Sequence, residues 1–128
     1  MTYYHSCMIH KSFDSAVSAV TEALKKEGFG ILSQINISEK LKEKLGVDFK
    51  KYMILGACNP PLAYKALQAE DKIGVMLPCN VIVQEKESGT VEIAAIDPIA
   101  SMAAAGNPVL AGIAAEVSGK LKRVVDSI

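Results

Sequence analysis

A strand that runs directly into a helix is encoded in residues 52–61, YMILGACNPP. The continuous apolar run from Tyr52 to Ala57 predicts a buried strand. Asn59-Pro60 is typical of a helix start, because Asn caps free N–H groups and Pro fits the first helical position. Successive strand residues point to opposite faces of a sheet, so both faces of this strand are apolar. We therefore expect helices to cover one face and a second copy of the chain to cover the other, in a homodimer or larger assembly.

Further strands and helices are predicted on both sides of this segment. Strands are expected over Tyr3–Ile9, Ile31–Ile37, Cys79–Gln84 and Val91–Ile96, with a hairpin turn at Ser88-Gly89 between the last two. Helices are expected over 12–27, from the cap residue Ser38 to Gly46, and after Asn59, Asp97-Pro98 and Asn107-Pro108. This order predicts an α+β fold, a two-layer sandwich in which helices cover one face of a largely antiparallel five-stranded sheet. Residues 1–128 are expected to form a single domain.

The composition excludes several classes of protein. Half of the 128 residues are apolar and 22% are charged, which is too apolar for an intrinsically disordered chain. Fourteen basic residues balance fourteen acidic ones, so we expect neither a nucleic-acid partner nor attraction to an anionic membrane. No apolar run reaches the roughly 20 residues that a membrane span requires. Three cysteines, an odd number, favour a reducing compartment, and a cytoplasmic protein is expected.

Two Cys-Asn pairs carry the most distinctive chemistry in the sequence. Cys58 precedes the predicted cap Asn59 and the helix-starting Pro60, and the N-terminus of a helix can lower the pKa of a nearby thiol. Cys79-Asn80 repeats the dipeptide at the start of a later strand. Two thiols could exchange with a disulfide or bind a soft metal, but free cysteines often only fill the core. These five residues are the candidate ligand-binding set, and the spacing of the sequence assigns no metal ligand and identifies no cofactor.

Three segments resemble a known protein family: LGVDF at 45–49, ILGACNPPLA at 54–63 and IGVMLPCNVIV at 73–83. Asp97-Pro98 and Gly106-Asn107-Pro108 match the same family. On these residues the chain resembles domain of unknown function 302, a family of uncharacterised prokaryotic proteins. The resemblance implies a two-layer fold in the order β-α-β-β-β-β-α, similar in shape to half of the TATA-binding protein, with one predicted helix inserted between strands. It implies no activity, ligand or catalytic residue, and a shared fold does not define a function.

The implied fold also bears on the two Cys-Asn pairs. If the two strands that they flank are antiparallel neighbours, as the family's fold suggests, Cys58 and Cys79 meet at one edge of the sheet. A single pocket rim would then carry both thiols, Asn59 and Asn80. A parallel crossover would instead place the thiols about 20 Å apart, and the connection between the strands is long enough for either route.

Two functions from different classes follow from these features. The first is a non-enzymatic, homo-oligomeric module that binds a small molecule or a partner. It is favoured because no acid–base constellation accompanies the thiols. The alternative is a thiol-dependent protein that uses Cys58 and Cys79 for redox chemistry, persulfide handling or metal binding.

Overall fold

The computed structural model describes residues 2–128, which form a five-stranded antiparallel sheet with helices. The strands are β1 (Tyr4–Ile9), β2 (Gly30–Asn36), β3 (Tyr52–Cys58), β4 (Cys79–Glu87) and β5 (Thr90–Ile96). The helices are α1 (Phe13–Lys26), α2 (Ile37–Leu45), α3 (Pro60–Ala69), α4 (Pro98–Met102) and α5 (Pro108–Asp126), with short 3-10 helices at Asp71–Met76 and Ala103–Ala105. The predicted α+β fold class is confirmed.

The strands lie in the order β1-β5-β4-β3-β2, and every neighbouring pair is antiparallel. β4 and β5 form the predicted hairpin, in which Gly89 has a φ of 80°, a conformation that glycine adopts without a steric penalty. β4 continues to Glu87, beyond its predicted end at Gln84, because pairing with β5 resumes after an irregularity between Glu85 and Glu87. α3 returns the chain so that β4 runs antiparallel to β3, and the parallel crossover that the sequence left open does not occur.

Asparagine and aspartate side chains start three of the helices as predicted. Asn59, Asp97 and Asn107 each accept a hydrogen bond from a backbone N–H in the first turn of α3, α4 and α5. A proline follows each of these residues at the start of the helix, where its missing N–H costs nothing. These caps fix where the chain turns away from the sheet after β3 and after β5.

The start of α2 differs from the prediction, which gave the capping role to Ser38. Asn36 caps this helix instead, since its Oδ1 accepts a 3.1 Å hydrogen bond from the backbone N–H of Glu39. The Ser38 hydroxyl donates to the carbonyl of Lys50 at 2.9 Å and accepts from the backbone N–H of Tyr52 at 3.1 Å. Ser38 therefore ties α2 to the first residue of β3, a contact between residues that are distant in sequence and that local pattern does not reveal.

The core lies between one face of the sheet and the helices α1 and α5. Leu55 of β3, Val81 of β4 and Ile93 of β5 point to this side and are fully buried. They pack in one cluster with Leu24 of α1 and Leu121 of α5. Burial of one such side chain stabilises a fold by roughly 1.5–3 kcal/mol, so this layer fixes the helices on this face of the sheet.

α5 is the longest helix, with 19 residues, and it is amphipathic. Its polar side chains Glu116, Lys122 and Arg123 are exposed. In residues 2–128 there is no helix with both the length and the apolarity that crossing a bilayer demands. The inner face of α5 consists of apolar side chains that are buried: Leu110, Ala114, Val117, Leu121, Val124 and Val125.

Replacing Leu121 by Ala is expected to destabilise the protein by about 2–5 kcal/mol, because it leaves a cavity where a fully buried side chain meets the sheet. Val109 lies in the same helix but is 59% exposed, so Val109→Ala should change the free energy of unfolding by less than about 0.5 kcal/mol. Urea unfolding of both variants measures the difference. Equal effects of the two substitutions would show that the inner face of α5 is not part of the core.

Candidate functional site

The two Cys-Asn pairs meet at one end of the sheet, as the antiparallel arrangement predicts. Cys79 lies directly opposite Ala57 in the β3–β4 register, and Cys58 is the next residue of β3. Because neighbouring residues of a strand point to opposite faces, the two thiols nevertheless lie on different sides of the sheet. Cys79 points into the core beside Ala57 and is 8% exposed, whereas Cys58 is half-buried on the other face.

The expected pocket rim with two thiols and two Asn side chains is therefore not formed. Both polar atoms of the Asn59 side chain form hydrogen bonds within the protein. Its Oδ1 accepts from the N–H of Leu62 at 3.4 Å, and its Nδ2 donates to the carbonyl of Glu27 at 3.4 Å. Pro60 is exposed at the first position of α3. Of the predicted set, only Cys58 and Asn80 lie on the sheet face away from the core, and Asn80 is exposed there.

Burial controls the chemistry of Cys79. Burial, with a smaller contribution from Cys58, raises the pKa of the Cys79 thiol from its ordinary 9.0 to about 11. The cavity beside it has a volume of about 30 Å³ and is lined mainly by apolar side chains of α3, α4 and α5. The cavity is small and apolar and the thiol is almost fully buried, so Cys79 is poorly accessible to reagents in the folded protein.

No group of three or more His, Cys, Asp or Glu side chains within residues 2–128 is arranged to hold a metal ion. His5 and Cys7 both lie on the core side of β1, where His5 bonds to a serine of α5. Its Nε2 forms a 3.1 Å hydrogen bond with the hydroxyl of Ser118, a buried residue of α5. This contact joins β1 to α5 in the interior.

The sheet face turned away from α1 and α5, which we call the open face, is crossed by three rows of side chains. Each row takes one residue from each of several neighbouring strands, because antiparallel register places these residues opposite one another. The middle row is apolar except for Ser6 at its end, and the outer rows mix apolar and polar residues. The first row is Tyr52, Gln84, Glu92 and Met8; the middle row is Ile35, Ile54, Ile82, Ala94 and Ser6; the third contains Ser33, Gly56 and Asn80 at one end and Ile96 and Tyr4 at the other.

Gly56 allows the chain to pack closely at the Cys58 end of the open face. A Cβ at this position would lie 2.8 Å from the ring of Pro78 and in collision with the Ser33 hydroxyl. Pro78 precedes the Cys79-Asn80 pair, and its ring packs on Gly56, two residues before Cys58 in β3. The space that the sequence assigned to a ligand at this end of the sheet is therefore partly filled by the protein itself.

A groove of about 380 Å³ lies on the open face, and neither Cys58 nor Cys79 lines it. Its floor is formed by apolar side chains, among them Ile82, Ala94 and Ile96, and tyrosines from β1, β3 and the chain before β1 contribute to its walls. This volume lies in the range of roughly 300–1,000 Å³ that is typical of small-molecule sites. The groove includes Asn80, which was in the predicted set, and nine residues that sequence reasoning did not select: Tyr3, Tyr4, Tyr52, Ile82, Gln84, Glu92, Ala94, Ala95 and Ile96.

A polar cluster interrupts the apolar surface at one end of the groove. Gln84 Nε2 donates to Glu92 Oε1 at 2.8 Å, and Lys86 Nζ lies 3.8 Å from the same oxygen. Partial burial raises the pKa of Tyr52, and the Glu92 carboxylate and the ionised form of Tyr3 raise it further. Tyr52 therefore keeps its phenolic proton at neutral pH and presents a neutral aromatic ring.

The fold and this groove define a class of protein: an α+β protein in which helices cover one face of an antiparallel sheet and the other face carries an open, largely apolar groove. The chain belongs to the family called Domain of unknown function DUF302, whose sequence pattern matches residues 5–128. The resemblance stated from the sequence is thereby confirmed.

A solved structure supports the same assignment. The crystal structure of an uncharacterized conserved protein, DUF302, from Bacillus stearothermophilus is similar to this chain, with a TM-score of 0.90 and 32% sequence identity. The similarity covers 98% of each chain. No curated protein matches this chain.

The position of the thiols predicts unequal reactivity toward iodoacetamide, which is attacked by the thiolate and loses iodide. At about pH 8, a pKa of about 11 leaves Cys79 with about a hundredfold less thiolate than a thiol at the ordinary 9.0, and burial slows access further. Peptide mass spectrometry after timed alkylation should therefore show Cys58 modified well before Cys79 in the folded protein. Both should react at similar rates in urea. Rapid modification of Cys79 in the native state would contradict the arrangement described.

Proposed function

We propose that this protein is a non-enzymatic, homo-oligomeric module that binds a small molecule in the open-face groove. The observation that carries the proposal is the uncovered apolar floor of the sheet. Ile82 lies at the centre of three paired strands, on the face turned away from α1 and α5, and lines the groove. A sheet face in contact with water is normally polar, and extended apolar patches on soluble proteins are typical of binding surfaces.

A second copy of the chain is the partner that we propose for this face. Apolar side chains extend beyond the groove to the edges of the sheet, where Ile35 of β2 and Met8 of β1 are 42% and 50% exposed. Two such faces packed together would remove these residues from water and turn the groove into an enclosed cavity. A two-fold pair of identical surfaces is the most common way in which a soluble protein covers such a patch.

A small molecule fits the groove for two reasons. Its volume is that of a small-molecule site, and its floor is apolar with a few polar groups at one end. The hydrogen-bonded pair Gln84 and Glu92 would orient a ligand, and Asn80 adds an exposed amide at the other end of the groove. The apolar floor between these groups would supply most of the binding energy.

The thiol-dependent alternative receives less support from the geometry. Cys58 and Cys79 lie on opposite faces of the sheet, and Cys79 is sealed in the core with a raised pKa. A mechanism that needs both thiols in one site would require one of the two side chains to move to the other face of the sheet. Cys58 is half-buried on the open face, and no group of three or more His, Cys, Asp or Glu side chains within residues 2–128 surrounds it to supply acid–base or metal chemistry.

The setting that we propose is the cytoplasm. All three cysteines are free thiols, which suits a reducing compartment. The balanced charge of fourteen basic and fourteen acidic residues favours a small molecule and a second copy over nucleic acid or an anionic membrane as partners.

Light scattering coupled to size-exclusion chromatography tests the assembly. The wild-type protein at micromolar concentration should have a mass of at least twice the 13.6 kDa of one chain. Ile82→Glu places a charge in the centre of the proposed interface and should give a folded 13.6 kDa species, as should Ile35→Glu at the edge of the same face. Val75→Glu is the matched control, because Val75 is 87% exposed on the 3-10 helix after α3, and it should leave the mass unchanged.

Two results would contradict the proposed assembly. One is a wild-type mass of 13.6 kDa at micromolar concentration. The other is an assembly that Val75→Glu dissociates while both open-face variants stay associated. Circular dichroism of each variant separates loss of assembly from loss of folding.

A further inference from the structure

Glu92 places a carboxylate in the groove with unused capacity to accept hydrogen bonds. It lies on β5 in the first row of the open face, and its side chain is 22% exposed. Gln84 and Lys86 both approach Oε1, and no other donor within residues 2–128 bonds to this carboxylate. A carboxylate offers about four acceptor positions, so Oε2 is available to a ligand that carries a positive charge or a hydrogen-bond donor.

Aromatic rings stand around the same groove. Tyr52 lies in the row of Glu92, with only Gln84 between them. Tyr3 and Tyr4 form an edge-to-face pair with ring centroids 5.0 Å apart and contribute to another part of the wall. The face of a tyrosine ring is electron-rich and attracts cations, and several rings with one carboxylate are a common arrangement for binding substituted ammonium groups.

The charges at the groove favour one sign of ligand. None of its lining residues is Lys, Arg or His, so an anion would meet the carboxylate without a compensating positive charge. The only ammonium near Glu92 within residues 2–128 belongs to Lys86, at 3.8 Å, and that side chain is 42% exposed. An ion pair this exposed contributes little to stability, so the ammonium of a ligand can displace it at low cost.

From this arrangement we propose that the groove binds a small organic cation with a primary or alkylated ammonium group, with Glu92 as the counter-ion and Tyr52 and Tyr3 as aromatic walls. The proposal rests on the proposed function because it uses the same groove, and it names the class of ligand. The apolar floor at Ile82, Ala94 and Ile96 would bind the hydrocarbon part of such a molecule.

The test compares two probes of the same shape, choline and its neutral analogue 3,3-dimethyl-1-butanol, in which carbon replaces nitrogen. Each is titrated into the nitrogen-15-labelled full chain, and binding is followed by amide chemical shifts. Choline should bind saturably and at least about tenfold more tightly than the alcohol, and the largest shifts should fall on β4 and β5 around Gln84 and Glu92. Higher salt should weaken the binding of choline and leave that of the alcohol unchanged.

Variants separate the roles of the groove residues. Glu92→Gln keeps the shape of the side chain and removes its charge, so choline affinity should fall by about tenfold or more. Tyr52→Leu should weaken binding several-fold, whereas Tyr64→Leu, at an exposed residue of α3, should have no effect. Lys86→Met removes the competing ammonium and should strengthen choline binding, an effect opposite in sign to that of any variant that merely damages the fold.

Three outcomes would overturn the proposal: equal affinity for the two probes, shifts located away from the groove, or unchanged choline binding in Glu92→Gln. These outcomes are independent of the assembly test. If the protein assembles but does not bind choline, the proposed cation ligand is wrong and the proposed assembly is supported. If the protein is a monomer but binds choline at Glu92, the proposed assembly is wrong and the proposed cation ligand is supported.

Discussion

Alternation of side chains along β3, β4 and β5 is the constraint on which the rest of the structure depends. At the middle of these strands the residues on both faces are apolar: Leu55, Val81 and Ile93 lie on one face, and Ile54, Ile82 and Ala94 lie on the other. Removing apolar surface from water stabilises a protein by about 25 cal/mol for each Å², so the structure is more stable when each face is covered. α1 and α5 cover the first face completely, which fixes the fold and leaves the second face to define the site.

The same alternation determines where the polar residues of the groove lie. Gln84 and Glu92 occupy even positions on strands whose odd positions form the core, so they emerge together on the open face in a single row. The hydrogen bond between them and the pKa shift of Tyr52 both follow from this register. Gln84 and Lys86 approach only one oxygen of the Glu92 carboxylate, and under our proposal the other oxygen favours a ligand that carries positive charge.

Much of the fold was predictable from local sequence. The apolar run at 52–57, the Asn-Pro and Asp-Pro helix starts and the β4–β5 hairpin rest on interactions between residues close in sequence. The cap of α2 was not predicted, because Ser38 bonds to Lys50 and Tyr52 across a loop while Asn36 takes the cap. The candidate site was harder to predict from the sequence, because Cys58 and Cys79 lie at one end of the sheet but on opposite faces. Only the strand register shows this separation, and only the register brings Tyr52, Gln84 and Glu92 into one row.

Hydroxyl-radical footprinting shows whether a second copy covers the open face in the assembled protein. Peptide mass spectrometry would report the oxidation rate of Tyr4 and Tyr52 on the open face, with Tyr64 on α3, which is 65% exposed, as the internal reference. We expect Tyr4 and Tyr52 to be protected at high protein concentration and to become reactive on dilution, while Tyr64 reacts equally at both. Unprotected tyrosines on the open face at every concentration would contradict the proposed assembly.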